Sequence, residues 1–373
     1  MEKVLYISNA IFLDMKNREG GVRNCTLEFI GLLQQKFEVI EFPVSYRTSI
    51  AYRARVKLGL NHYDDYTPEA YRPELASSLK ENKIRFVFLN LSNTLTFSAL
   101  IKEIGGSGVK VILCSHGNET GDFLHQVVRF RESAPFFKRL FSTYSLGKLL
   151  KIEAYYRVKD IDMVLAVSPV EESIEKWLGA EKTFMVPRVI KKEFLDLRPV
   201  PNRVGFLGDL SHTPNQTGII SFCEALRSRG QHKVELRLVG GPEAIGASIA
   251  EKYSFVKYLG FLDNPELREE AATWSYFVNL VFYYSRGVST KLARALSWGL
   301  PVISTIPGNR GYQWTDGEVL MARDAAHMAE LAAENAGNAG SVGRDAQETI
   351  KIVSSSPGLE QIMDILYPQI MHL

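Results

Sequence analysis

The stretch YSRGVSTKLARALSWGLPVIST, Tyr284 to Thr305, holds the residues best suited by type and spacing to grip a charged ligand. Gly287, Val288, Ser289, Thr290 and Lys291 lead into a segment that reads as a short amphipathic helix. The first N–H groups of a helix lack backbone partners and carry partial positive charge, so they suit an anion. Gly287 offers no side chain to block a close approach, and Lys291 adds a point charge. Arg286 and Arg294, eight positions apart, flank the turn. Taken alone, Ser-Thr-Lys also reads as an ordinary helix cap with a surface lysine.

Placing such a turn requires a strand before it and a packed helix after it. Continuous apolar runs recur along the first half: KVLYIS (3–8), FEVIEF (37–42), RFVFLNL (85–91), KVILCS (110–115), MVLAVS (163–168) and TFMVP (183–187). Segments with helical spacing, such as NCTLEFIGLLQQK and PELASSLKENK, lie between them. Uninterrupted Val/Ile/Leu/Phe strands separated by helices predict a parallel sheet covered on both faces. The pattern restarts at RVGFLGDL (203–210), followed by KVELRLVG (233–240), SFVKYLG (254–260), YFVNLVF (276–282) and PVIST (301–305).

The proline-bearing, basic stretch KKEFLDLRPVPNR (191–203) is the natural linker. The expected architecture is α/β, two Rossmann-like doubly wound domains facing a cleft. One spans 1–197, completed by 356–373, and the other spans 198–355. Segment 306–373 reads as less regular, and its closing apolar helix is expected to cross back onto the first domain.

Bulk composition narrows the function classes. The chain has 373 residues, 46% hydrophobic and 23% charged, which suits two domains of ordinary globular make-up. Net charge is only +2, with 28 Lys and Arg against 24 Asp and Glu in residues 1–197, so the first half carries the positive excess. Cys25, Cys114 and Cys223 are odd in number and widely spaced, which fits buried thiols and neither a metal cluster nor a disulfide framework. No apolar run approaches the ~18–20 residues that span a bilayer, and the apolar core of MEKVLYISNA is too short for a signal segment. A cytoplasmic protein is expected.

RGVSTKLARALSWGLPVIST resembles the donor-site signature of retaining glycosyltransferases of the GT-B fold, family 4 (glycosyl transferases group 1). It lies closest to a subset reading R-G-x-x-x-K-x-x-E-A-x-A-x-G-x-P-V-V. RVGFLGDLSHTPNQTGIISFCEAL is similar to that family's F-x-G-x-L-x-x-x-P-N opening of the second domain. LRLVGG with VKYLGFLDNPELREEAATW resembles its next strand-and-turn pair. REGGVRNCTLEFIGLL, VILCSHGNE and LAVSPVEESIEKWLG resemble its first-domain loop, histidine strand and V-S segment.

The resemblance covers roughly residues 1–320 and implies a glycosyltransferase acting on a nucleotide-diphosphate sugar. It places Gly287, Val288, Ser289 and Thr290 at the diphosphate through backbone N–H groups, with Lys291 beside them. It sets Gly208 and Asp209 on the neighbouring wall and His116 against the donor sugar. Gly20, Gly21 and Arg23 match a loop over the diphosphate and acceptor. Glu119, three residues past His116, is a candidate polar group near the acceptor.

Two positions depart from the family. Where it keeps two glutamates, this chain has Arg286 and Arg294. Guanidinium donates and cannot accept, so it cannot replace a carboxylate on a ribose hydroxyl. Asp209 and His212 also stand where relatives often keep basic residues, while Arg188, Lys191 and Lys192 add charge elsewhere.

Three readings follow: a transferase with an altered donor grip, a related protein that binds sugar or nucleotide without turnover, and an unrelated doubly wound enzyme such as an epimerase. The absence of G-x-G-x-x-G after any strand disfavours a dinucleotide fold. Transfer is expected to need no metal or other cofactor, since DID at 160–162 reads as a turn feature. The acceptor is expected to be a glycan or lipid-linked glycan. Residues 123–159 carry a net charge of +6 interleaved with aromatics, a surface suited to the anionic inner membrane face. Nothing points to nucleic acid.

Overall fold

Apolar runs without polar alternation can only be buried on both faces, and they form two parallel sheets. A computed structural model describes residues 1–14, 20–58, 60–130, 136–230, 233–284 and 286–373. Contacts divide the chain into two units: Met1–Pro187, Ser285–Gly287 and Gly358–Leu373 form one, Arg188–Tyr284 and Val288–Pro357 the other.

The first unit's sheet holds β1 (Glu2–Asn9), β2 (Phe37–Val44), β3 (Phe86–Asn90), β4 (Lys110–Ser115), β5 (Met163–Ala166) and β6 (Thr183–Met185). Their order is β2-β1-β3-β4-β5-β6 and every pair is parallel. Leu5 pairs with Val87 and Leu89 with Leu113, which stacks their buried side chains into one layer. The closing helix, Leu359–Met371, groups with this unit, as the sequence led us to expect. It buries Ile362, Met363, Leu366 and Ile370, sets Tyr367 against the Phe37 ring at 5.3 Å and pairs Asp364 with Lys36 at 2.9 Å.

In the second unit β7 (Arg203–Leu207), β8 (Glu235–Val239), β9 (Val256–Gly260), β10 (Tyr276–Val278), β11 (Val302–Ser304) and β12 (Leu320–Met321) line up as β12-β11-β10-β7-β8-β9. All pairs are again parallel. The order reverses between β7 and β10. In such sheets ligands bind beyond the carboxyl ends of the strands at that reversal. One face packs Val204, Phe206, Leu236, Tyr276 and Ile303; the other packs Trp274, Phe277, Leu292 and Leu296. Gly299 ends the helix Thr290–Ser297 at φ +75°, a conformation that favours glycine.

Segment 306–373 is more regular than its sequence suggests. Besides the closing helix it contains Ala325–Asn335 and Ala339–Ser355, the latter capped by Asn338, which accepts from the N–H groups of Gly340 and Ser341. Glycines 337, 340 and 343 hide that helix from a propensity reading, and packing of Val342, Thr349, Ile352 and Val353 overrides them. All three cysteines are buried and none is in a disulfide. Among the described residues no helix is long and apolar enough to cross a membrane.

Candidate functional site

At the strand reversal of the second unit, the carboxyl end of β7 runs into Gly208 and Asp209, and the chain after β10 reaches Ser289. Ser289 is the N-cap of the helix Thr290–Ser297, yet its hydroxyl is used elsewhere, donating to Asn279 Oδ1 at 3.0 Å. The Ser289 side chain therefore caps none of the helix N–H groups; Leu292 N–H turns back to the Ser289 carbonyl and Ala293 N–H donates to Tyr312 Oη at 3.1 Å, which leaves Thr290 and Lys291 at the positive end.

Lys291 stands in that first turn. Its Nζ donates to Asn215 Oδ1 at 2.7 Å and lies 5.4 Å from the centre of the Phe206 ring. Asn215 is fixed in turn by donating to the Asp209 carbonyl at 2.7 Å. Among the described residues no carboxylate pairs with Lys291. Burial, and after it the nearby Arg310 guanidinium, push its pKa down to about 8. Two cations held close together in a poorly solvated place ask for an anion between or beside them. Arg310 itself is buried, stacks 5.5 Å from the Tyr284 ring and donates to the Pro307 carbonyl.

Glycines let this wall close up. A Cβ on Gly240, at φ +130°, would sit 1.9 Å from the Gly208 carbonyl oxygen, and one on Gly208 would meet Lys291 Cε at 3.2 Å. The Asp209 carboxylate accepts from Ser211 N–H and Oγ at 2.8 and 2.6 Å. Partial burial pulls its pKa upward, but those hydrogen bonds leave it below the ordinary value.

The other named residues of the stretch are distributed differently. Val288 and Thr290 lie half-buried on either side of the cap. Arg294 falls in the helix's last turn with its guanidinium 5.7 Å from the Trp298 ring, where its charge suits the negative end of the helix. Arg286 and Gly287 group with the first unit. There Gly287, at φ +72°, donates its N–H to Glu171 Oε1 at 2.8 Å, and Arg286 pairs with Glu119. The Gly287 N–H, expected to face a diphosphate, thus already has a carboxylate acceptor.

In the first unit His116 follows β4 and is buried, its ring 5.5 Å from Phe29. Its Nε2 lies 2.8 Å from Asn90 Oδ1. The Asn90 amide nitrogen donates to Ser8 Oγ and Thr26 Oγ1, at 2.8 and 2.9 Å, so its oxygen faces the imidazole and selects the tautomer with hydrogen on Nε2. Glu119 opens the helix Glu119–Phe130. That helix start is closed by the buried Glu153, whose Oε1 accepts the N–H groups of Glu119 at 2.8 Å and Thr120 at 3.4 Å. Burial raises the Glu153 pKa, against the pull of Arg157. Gly20 is the N-cap of the helix Gly21–Leu33 and supplies no side-chain cap; Arg23, in its first turn, is buried. Arg18 and Glu19 of the same loop lie outside the described residues.

Several residues here were not singled out from sequence. Asn215 and Arg310 support Lys291, and Glu171 and Glu153 hold N–H groups that sequence reading left open. The P-N of TPNQ was a usable signal for Asn215; nothing local marked Arg310. Among the described residues no group of three His, Cys, Asp or Glu side chains is placed to hold a metal.

Residues 201–335 match the family model for glycosyl transferases group 1. With two doubly wound units, the chain has the GT-B fold, and residues 201–335 carry a glycosyl transferases group 1 domain. Among solved structures it is similar to HepE of Anabaena, determined with UDP and glucose, with TM-score 0.64 and 13% identity over 100% of both chains. Sucrose-phosphate synthase of Thermosynechococcus elongatus gives TM-score 0.69 and 16% identity, again over 100% of both chains. The lipopolysaccharide outer core galactosyltransferase WaaB, in apo form, gives 0.61 and 13% over 100% of both. At these identities the structures speak to fold. No curated protein matches the sequence.

Proposed function

We propose that the chain moves a sugar from a nucleotide-diphosphate donor to a glycan or lipid-linked glycan, with retention at the anomeric carbon and without a metal, as in retaining family 4. The observation that carries the reading is the uncapped start of the helix Thr290–Ser297 with Lys291 in its first turn, inside the group 1 domain. Leaving-group charge develops on the diphosphate, so N–H groups of Ser289 and Thr290 with Lys291 and Arg310 would lower the barrier by positioned positive charge. That supply of positive charge supports metal independence. His116 and Glu119 are our candidates for the sugar- and acceptor-contacting groups, and Gly20, Gly21 and Arg23 for the covering loop. The solved relative determined with UDP and glucose supports a UDP-sugar as the first donor to try.

We further place the enzyme at an anionic membrane face in the cytoplasm. Leu124, Val128, Leu140, Tyr144 and Val158 are exposed along two helices that also expose Arg139, Lys148, Lys151 and Lys159. One basic residue of that stretch is corrected by the structure: Arg157 is fully buried, paired with Glu175, and cannot meet lipid. Arg131 and Glu132 lie outside the described residues, as do the side chains of Arg129, Phe130, Phe137 and Lys138.

A binding protein without turnover is the second reading. It is favoured by Arg286 and Arg294, since neither can accept from a ribose hydroxyl. A thermal-shift panel of UDP-, GDP-, dTDP- and CMP-sugars, followed by hydrolysis of any hit, separates the two. Stabilisation with turnover supports transfer; stabilisation without it supports the second reading; no shift with any nucleotide defeats transfer and favours the second reading as a sugar binder.

A further inference from the structure

The first unit contains a cavity of about 750 Å³ to which the transfer chemistry above assigns no role. It lies along the helix Phe136–Lys159, against the segment carrying His62 and Tyr63 and the turn carrying Thr96. Its size falls within the ~300–1,000 Å³ of small-molecule sites.

Its lining has a consistent chemistry. Tyr63, Tyr144, Tyr155 and Tyr156 give it ring faces, which suit the C–H faces of a sugar. His62, 8% exposed, and Thr96 belong to the lining, with their ring nitrogens and hydroxyl closed off from solvent. Lys148 and Lys151, three residues apart on one helix face, line it too, and neither has an ion-pair partner among the described residues. Burial lowers the His62 pKa and Lys148 lowers it further, against a smaller opposite pull from the Leu60 backbone.

We propose that this cavity binds a phosphorylated sugar, the ring lying among the tyrosines, the phosphate held by Lys148 and Lys151. Its identification as the acceptor site rests on the transferase reading; the binding itself does not. The phosphate can belong to a soluble sugar phosphate or to a lipid-linked sugar, and exposed Leu140 and Tyr144 on the same helix allow either.

The test is calorimetric titration of the full chain with glucose 6-phosphate, glucose, inorganic phosphate and a short-chain prenyl diphosphate sugar. The same titrations on K148Q/K151Q and on Tyr144→Ala follow, with UDP as a control ligand. Both lysines are exposed, so the double variant should fold, and its melting temperature checks this. At least one phosphorylated sugar should bind more tightly than glucose and than phosphate, and lose about tenfold or more in the double variant, as expected for charge-assisted contacts. Tyr144→Ala should weaken the sugar phosphate and leave inorganic phosphate unchanged. Glucose 6-phosphate binding identifies the soluble source, and binding of the prenyl compound alone identifies the lipid source. Equal affinity for glucose and its phosphate, unchanged affinity in the double variant, or no binding by any probe overturns the proposal. UDP binding retained in the double variant shows that the donor reading stands independently of this result.

Discussion

Two helices, Glu119–Phe130 in the first unit and Thr290–Ser297 in the second, start downstream of a strand's carboxyl end and complete their first turns in opposite ways. The first is closed from within: Glu153, delivered by the neighbouring long helix, accepts the N–H groups of Glu119 and Thr120. The second is left open at Thr290 and Lys291, because the hydroxyl that would cap it bonds Asn279 instead and Tyr312 Oη reaches only the Ala293 N–H, and a lysine stands in its first turn. A helix start is thus a ligand site only when the protein has not already supplied the anion. The same motif, read locally, would have been given the same role in both places.

The largest effect should come from the closed side. Arg157 and Glu175 form a fully buried pair beneath it, Arg157 Nη2 lying 2.9 Å from Glu175 Oε1, with Ser115 Oγ donating to the same oxygen at 2.8 Å. Arg157→Leu leaves Glu175 and Glu153 without their cation and should cost about 3–5 kcal/mol, read by urea denaturation. A loss below about 1 kcal/mol would show that the carboxylates find other partners or protonate at little cost. Next, Glu153→Ala removes the internal acceptor, at a cost of about 1–3 kcal/mol for the N–H groups left buried. It should also convert the closed start into an open one, so sulfate should raise the melting temperature of this variant more than that of the parent. Equal sulfate effects would break the comparison.

On the open side the Lys291 pKa of about 8 gives a sign. Anionic ligands favour the protonated amine, so affinity for a nucleoside diphosphate should be highest below pH 8 and fall above it. Lys291→Arg should flatten that fall. Without ligand the dependence reverses. The folded pKa lies below the unfolded ~10.4, so between about pH 8 and 10.4 the unfolded chain binds more protons and stability rises with pH. A pH-independent affinity in the parent protein would mean that Lys291 does not meet the ligand. The smallest effect is expected at Arg294, whose guanidinium lies over Trp298. Arg294→Ala should cost about 0.5–1 kcal/mol of stability and change nucleotide affinity by less than about threefold. A larger affinity loss would bring this arginine into the donor contact.

Much of the fold could be read from the sequence, because parallel strands buried on both faces show as unbroken apolar runs. β4 coincides with KVILCS, and β10 is shorter than its run, ending at Val278 ahead of Asn279, whose amide donates to Ser304 Oγ at 3.0 Å and to the Gly308 carbonyl at 3.1 Å. β12 is two residues long and left no signal. The open helix start was also legible, being local: Gly287, Ser289, Thr290 and Lys291 are consecutive or nearly so. The closed one was not. Glu153, Arg157 and Glu175 meet across 22 residues of sequence, and on their own helices each reads as a solvated charge. The same reason hid the Gly287–Glu171 bond, which joins residues 116 positions apart. Charge that pairs at long range looks, in one dimension, like charge facing water.

The central claim is that the open helix start of the second unit holds the donor's diphosphate through Lys291. Its most direct test is calorimetric titration of UDP, GDP, dTDP and CMP, each beside its parent nucleoside, on the parent protein and on Lys291→Ala. At least one nucleotide should bind well ahead of its nucleoside and lose about tenfold or more in the variant, the worth of one charge-assisted contact. Equal affinity in parent and variant, or no preference for the phosphorylated form, would contradict the claim.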